Sequence, residues 1–271
     1  MRNNNKGASK RMKYETLECT KKDGTLTVML NRPEVHNAMN ESLMRELTTC
    51  FKDASLDSTV AAVVLTGNGK SFCAGADLTW MKQMVQYSKE ENRNDSRLLL
   101  EMYETLHACP KPVIGRVNGS AFGGGIGLVA ICDITITPPE SLFGFTEVKL
   151  GIIPAVISTF VAHRMSLASM RRLFITGERF TAAVAHEVGL IDLVVPAERL
   201  DASVDASLEQ IYSSGPGAIK EVKHLLYKHL ELDHHDYKEY TVEKIAELRV
   251  SPEGQEGISA FLEKRKPRWK R

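Results

Sequence analysis

"NGSAFGGGIGLVAICD", residues 118–133, is the stretch on which the reading of this chain turns. Three consecutive glycines, Gly123 to Gly125, are poor material for helix or strand, because glycine loses the most backbone freedom on ordering. Yet an apolar run, Ile126 to Cys132, follows at once, broken only by a fourth glycine, Gly127. The pattern predicts a bend stripped of side chains and then a buried helix. Such a bend presents amide N–H groups and the positive end of the helix dipole. It suits an anion, or an oxygen that becomes anionic during a reaction. Close packing of the helix on a neighbour would require the same glycines, and these residues alone leave both readings open.

Working outward, "KPVIGRVNG" (111–119) and "DITITP" (133–138) read as strands on either side. "TLTVMLN" (25–31) alternates like a strand and runs into a loop, "RPEVHNAMN" (32–40). Residues 40–56 have helical spacing, with Leu43, Leu47, Cys50 and Phe51 on one side, and a second helical stretch covers 88–108. "AAVVLTG" (61–67) is a continuous apolar run closed by glycine, as in a strand buried on both faces. Strand and helix alternate as in an α/β protein. From about residue 197 the strand-like runs vanish, and helical segments follow at 197–212, 216–230, 236–249 and 253–264. The expected organisation is a disordered basic tail over 1–12, an α/β core over 13–200 and a helical region over 201–271.

Hydrophobic content of 43%, charged content of 25% and a net charge of +1 are ordinary for a soluble domain of this length. They argue against a surface built for nucleic acid or membrane. The N-terminus has no apolar segment of the secretory type. Five scattered cysteines without a CxxC or Cys/His pattern point to reduced, buried thiols and a cytoplasmic setting. No metal site is assigned, "DHH" (233–235) reading as a polar turn, and no histidine has the partner that catalysis would need.

The segment "GIGLVA" (125–130) fits a dinucleotide-binding pattern, with Glu147 roughly twenty residues on. Its context is wrong. Asn118 to Phe122 separate the strand from the glycines, and Glu147 lies beyond Pro138 and Pro139.

Two further elements carry chemistry. "SFCAGADL" (71–78) is a second small-residue bend, with Asp77 placed to cap the helix after it. One amide from each bend, aimed at the same oxygen, would form an oxyanion hole. "FGFTEVKLGIIPA" (143–155) sets Glu147 among apolar and small residues, where desolvation would raise its pKa towards the range useful for proton transfer. A surface glutamate paired with Lys149 fits the same residues.

Together these stretches resemble the enoyl-CoA hydratase/isomerase (crotonase) family. The similarity runs from "LNRPEVHNAMN" through "SFCAGADL", "NGSAFGGG", "CDITI" and "FTEVKLGIIP" to "EGISAFLEKRKPRW", nearly the whole chain beyond the tail. The resemblance implies an α/β fold, a spiral of ββα units, with C-terminal helices that build homotrimers or hexamers. It implies an acyl-CoA substrate whose thioester oxygen is held by the amides of Ala76 and Gly124, with Glu147 as the acid–base. No separate cofactor is implied, coenzyme A being part of the substrate. Ala74, Leu78 and Lys264 would contact CoA, and Phe261 would form part of the acyl or pantetheine wall. Trp80, Met81 and Met84 would border the acyl pocket, although helix core explains them equally well.

One position departs from the pattern. Hydratases of this family carry a second glutamate after the glycines, as in "GGGxELA", and this chain has Gly127 there. Isomerases of the family work with one carboxylate, moving a proton from C2 to C4. The segments "FGGGIGLVAICD", "TEVKLGIIPAVIS" and "AGADLTWM" nevertheless resemble the bacterial 3-methylglutaconyl-CoA hydratase branch, which also has glycine at this place. "PAVIS" (154–158) stands where a glycine-rich segment is usual and points to an unusual acyl pocket. The expectation is therefore a hydratase of a short or branched enoyl-CoA. A Δ3,Δ2-enoyl-CoA isomerase is the alternative, and a non-catalytic CoA- or RNA-binding protein a third reading.

Overall fold

A computed structural model of the chain describes residues 12–269, with side chains from Tyr14 onward. The expected tail lies outside these residues except for Met12, which instead pairs with Cys19 in a short strand. The strands are β1 (Met12–Lys13), β2 (Leu17–Lys22), β3 (Thr25–Leu30), β4 (Ala62–Gly67), β5 (Ser71–Cys73), β6 (Val113–Arg116), β7 (Ser120–Phe122), β8 (Ile134–Thr137), β9 (Leu142–Gly144), β10 (Arg179–Thr181) and β11 (Leu193–Val194). The helices are α1 (Glu41–Leu56), α2 (Leu78–Met84), α3 (Lys89–His107), α4 (Gly124–Ala130), α5 (Ala155–Val161), α6 (Leu167–Thr176), α7 (Ala182–Glu187), α8 (Leu200–Ser213), α9 (Pro216–Glu231), α10 (His234–Val250) and α11 (Pro252–Leu262).

The strands divide between two sheets. A larger one runs β1-β2-β3-β4-β6-β8-β11, and a smaller one runs β10-β9-β7-β5. Pairing is parallel from β3 through β4, β6, β8 and β11, and parallel again between β5, β7 and β9. The chain thus gives one strand to each sheet and then a helix, three times over: β4-β5-α2, β6-β7-α4 and β8-β9-α5. That is a ββα spiral. β4 is buried along its whole length, as its unbroken apolar run requires.

Helix starts follow the side chains available. The Asn40 side chain accepts from the Leu43 amide at α1. Ser88 and Glu91 form a reciprocal capping box at α3. Helix α4 is buried from Gly125 to Ala130, matching the apolar run that opened the reading.

The described residues form two compact units, one of 12–109 with 113–204, the other of 110–112 with 205–269. The division falls inside α8 rather than at residue 200, and a three-residue piece before β6 joins the second unit. Within that unit, α9 and α10 bound an apolar groove lined by Ala218, Val222, Leu225, Val242, Ile245 and Leu248.

Candidate active site

The smaller sheet explains why three distant sequence elements meet. β5, β7 and β9 lie side by side and parallel, so the segments leaving their carboxyl ends are neighbours. These are Ala74–Gly75–Ala76, Gly123–Gly124 and Phe145–Thr146–Glu147. Ligand sites of parallel sheets form at such strand ends.

Registry fixes the contacts. Cys73 pairs with Ala121, and Phe122 with Gly144. The Gly123 amide donates to the Gly144 carbonyl at 3.0 Å, which draws the Glu147 segment against the glycine bend. A Cβ at Gly75 would stand 2.8 Å from the Phe122 carbonyl and 3.7 Å from the Gly124 amide nitrogen. Gly75 also has φ +91, a conformation other residues rarely adopt. The two bends therefore abut, with Gly75 as the point of contact.

The loop 32–40 holds the first bend. Ala74 donates to the His36 carbonyl at 3.0 Å, Met39 donates to the Gly75 carbonyl at 2.6 Å, and Asp77 donates to the Met39 carbonyl at 2.8 Å. Met39 and Ala76 form a parallel bridge. In a bridge bonded through residues 75 and 77, the N–H of residue 76 points away from the partner strand. The Ala76 amide is thus free to face a ligand. A charge pair locks the arrangement: Arg32 Nη2 lies 2.8 Å from Asp77 Oδ2, both side chains being largely buried. Asp77 also accepts from the Thr79 amide at 2.7 Å, capping α2.

Burial pushes the Asp77 carboxyl up, but its bonds to Arg32 and to the Thr79 and Trp80 amides outweigh that and hold it below the usual carboxylate range. Asp77→Asn keeps a cap acceptor and strands the Arg32 charge, so a loss of about 1–3 kcal/mol is expected in urea unfolding at neutral pH. Because the folded pKa is depressed, the charge contribution is present above about pH 4 and lost as pH falls through the folded value. Variant and wild type should converge in stability at low pH.

Gly123, with φ +48, faces the acid. A Cβ there would stand 3.1 Å from Glu147 Oε1 and 3.9 Å from Oε2. Glu147 sits in a 3-10 turn, Thr146–Leu150. Its Oε2 is buried and has no hydrogen-bond partner. Desolvation raises its pKa, opposed only by a bond from its own backbone. Of the two sequence readings of Glu147, the structure shows the half-buried acid and not a pair with Lys149. Cys73, beside the first bend, is fully buried, and burial pushes its thiol up to about 12, far from nucleophilic use at neutral pH.

The packing reading of the glycines is visible in the structure. Gly125 packs where a Cβ would collide with the Cys73 carbonyl, and Gly124 where one would collide with the Met39 methyl. Gly127 is filled from outside: a Cβ would lie 2.7 Å from Ile157 Cγ2 and 2.7 Å from Tyr103 Cζ. The space that a second carboxylate would need is occupied by Tyr103 and Ile157.

The remaining expected residues are spread more widely. Ala74 is half-buried at the first bend, and Leu78 begins α2 with 74% of its surface exposed. Trp80 is 7% exposed and its indole donates to Asp95 Oδ1 at 2.9 Å. Met81 and Met84 are half-buried, Met84 packing on the core. Phe261 and Lys264 lie in the second unit at the end of α11, both exposed. Sequence reasoning passed over Arg32, Met39, Tyr103 and Ile157. The loop "RPEVHNAMN" carries the only signal for the first two, "PAVIS" (154–158) contains Ile157 without distinguishing it from its neighbours, and nothing local marks Tyr103.

Two adjoining amide-bearing bends beside one desolvated carboxylate are an arrangement that can stabilise a developing oxyanion and move protons next to it. The sequence matches the family described as enoyl-CoA hydratase/isomerase over residues 20–271. The chain belongs to that family. A solved enoyl-CoA hydratase from Shewanella pealeana is 37% identical and superposes with a TM-score of 0.90, over 94% of this chain and 96% of its own. The short-chain-enoyl-CoA hydratase of Clostridium acetobutylicum is 33% identical over 90% of this chain and 94% of its own length. The 2,3-dehydroadipyl-CoA hydratase of Escherichia coli K12 is 32% identical, with the same coverage. The fold is that of the crotonase group, with a C-terminal helical region. Among the described residues no helix is long and apolar enough to cross a membrane.

Proposed function

We propose that this enzyme adds water across the 2,3 double bond of a short or branched enoyl-CoA, with Ala76 and Gly124 holding the thioester oxygen and Glu147 managing the protons. The observation that carries this reading is the meeting of the two bends and the orphaned Glu147 carboxylate at adjacent strand ends. In the addition, Glu147 takes a proton from water as its oxygen bonds to C3. The π electrons move to the thioester oxygen, where the two amides stabilise the enolate. The proton held on Glu147 then passes to C2, restoring the carboxylate and the thioester. One group serves as base and then as acid, so a carboxyl whose pKa is raised by burial suits it.

A substrate of the 3-methylglutaconyl-CoA type fits the single carboxylate, because its own terminal carboxylate can help hold the water. The similarity to a hydratase of a dicarboxylic acyl-CoA supports that choice. Ala74 and Leu78 are proposed to line the CoA channel, with Lys264 on the phosphates and Phe261 on the acyl wall. Trp80, Met81 and Met84 are proposed to border the acyl pocket. Exposed apolar side chains on the C-terminal helices, such as Val222, Leu226, Val242 and Ile245, support self-association as a trimer or hexamer.

The lone carboxylate also favours a second reading, a Δ3,Δ2-enoyl-CoA isomerase. The two part in one experiment. Crotonyl-CoA, 3-methylglutaconyl-CoA and a 3-enoyl-CoA are each incubated with the enzyme, and products are resolved by chromatography with loss of enoyl absorbance. Hydrated product, strongest from the branched dicarboxylic substrate, is expected. Conversion of the 3-enoyl-CoA without any hydrated product would establish the isomerase instead.

A further inference from the structure

We propose that Tyr103 is a positioning residue of this site, its ring standing in the space of a side chain at 127 and its hydroxyl fixing the Gly124 carbonyl, and with it the peptide that follows the Gly124 N–H. The inference rests on the reading above, in which the Gly124 amide holds the thioester oxygen.

Tyr103 comes from α3, far from either bend in sequence, and is fully buried. Its hydroxyl donates to the Gly124 carbonyl at 2.6 Å, with Met39 Sδ a distant second neighbour at 3.8 Å. Ring atoms Cζ and Cε1 lie 2.7 and 2.8 Å from where a Cβ of residue 127 would be, and Ile157 closes the other side at 2.7 Å. The Phe160 ring, centroid 5.4 Å away and tilted by 42°, backs the phenol. The ring is clamped.

The bend needs such a clamp. Helix α4 has Gly123 at its N-cap and no side-chain cap, and its first two residues, Gly124 and Gly125, have no side chains to anchor them. The Gly124 N–H shares its peptide plane with the Gly123 carbonyl, which accepts from the Ile126 amide at 2.9 Å; the planes on either side are held by the Gly123 amide donating to the Gly144 carbonyl and by the Tyr103 hydroxyl donating to the Gly124 carbonyl. The first two bonds are backbone and independent of side-chain identity. Tyr103 supplies the third. Burial above all keeps the phenol protonated well beyond its ordinary range, with the Glu147 charge adding to it, so it donates throughout the working pH range and is not itself a proton source. An orienting bond of this kind acts on rate, because a small misplacement of a donor costs much of its effect in the transition state.

Tyr103→Phe in the full-length protein tests this. With an enoyl-CoA that the wild type turns over, kcat should fall about tenfold or more while KM stays within about twofold, and the midpoint of the acid limb of the pH profile should not move. Acetoacetyl-CoA gives a readout that needs no turnover, since its C2 proton ionises to an enolate with near-ultraviolet absorbance. Enolate absorbance on the enzyme should drop in Tyr103→Phe. It should persist when 3-fluorotyrosine, which keeps ring and hydroxyl, replaces Tyr103. Wild-type kcat and enolate absorbance in the Phe variant would overturn the inference, as would a shifted acid limb or loss of enolate with fluorotyrosine. If the wild type hydrates no enoyl-CoA, the hydratase reading fails by itself, and the acetoacetyl-CoA comparison still decides the role of Tyr103.

Discussion

Glu147→Gln is expected to lower turnover of every enoyl-CoA substrate by about 10²–10⁴-fold, the usual contribution of one positioned acid–base. The amide is nearly isosteric and leaves both bends intact, so KM should change little. In the wild type, kcat/KM should rise with pH through a midpoint above the ordinary glutamate value, because desolvation disfavours the carboxylate that must accept the first proton. The residual activity of the variant should lack that limb. The same substitution should move stability in the opposite direction from activity. Folding raises the Glu147 pKa, so the native state bears a cost only where the group must ionise. The cost is absent below about pH 4, where the carboxyl is protonated folded and unfolded, and it grows as pH rises through the folded value. The melting temperature of Glu147→Gln relative to wild type should therefore increase between pH 4 and pH 8. A difference that is flat with pH would mean the carboxylate is solvated after all.

Gly127→Glu is expected to cost about 4 kcal/mol or more, enough to unfold a marginally stable domain. Its first side-chain atom would meet Ile157 and the Tyr103 ring below 3 Å, and the Tyr103 ring cannot yield without disturbing its bond to Gly124. The carboxylate beyond it would be buried without a partner. Gly127→Ala, which adds one methyl to the same spot, should cost about 1–3 kcal/mol by overpacking alone. Urea midpoints order the three proteins: wild type, then Ala, then Glu. A Gly127→Glu protein as stable as wild type, or one with faster hydration, would show that room for a second carboxylate exists. The absence of the second glutamate is thus a packing decision taken across three helices, α3, α4 and α5, rather than a single substitution.

How far the sequence could be read follows from element length. β3 and β4 and the helices α1 and α3 were legible because each spans enough residues to show a period. The smaller sheet was not. β5, β7 and β9 have three residues each, too few for alternation, and they read only as bends flanking the longer strands. Yet it is their parallel pairing that brings Ala76, Gly124 and Glu147 together. Nothing in the three stretches taken singly shows that they are neighbours. Tyr103 was invisible for a different reason. It is one aromatic on the buried face of a long amphipathic helix, and only the Gly127 void on a facing helix gives it meaning. Of the two explanations of the glycine run, packing is visible at Gly124, Gly125 and Gly127, which make room for neighbours, while Gly123 lies against the Glu147 carboxyl.

The claim beneath all of this is that two backbone amides share one oxygen. A crystal structure of the enzyme with a bound saturated acyl-CoA measures it. The account predicts a thioester oxygen within about 2.7–3.2 Å of both the Ala76 and the Gly124 nitrogen, with the acyl C2 beside Glu147. An oxygen bonded to neither amide, or to one with the other turned elsewhere, would contradict it.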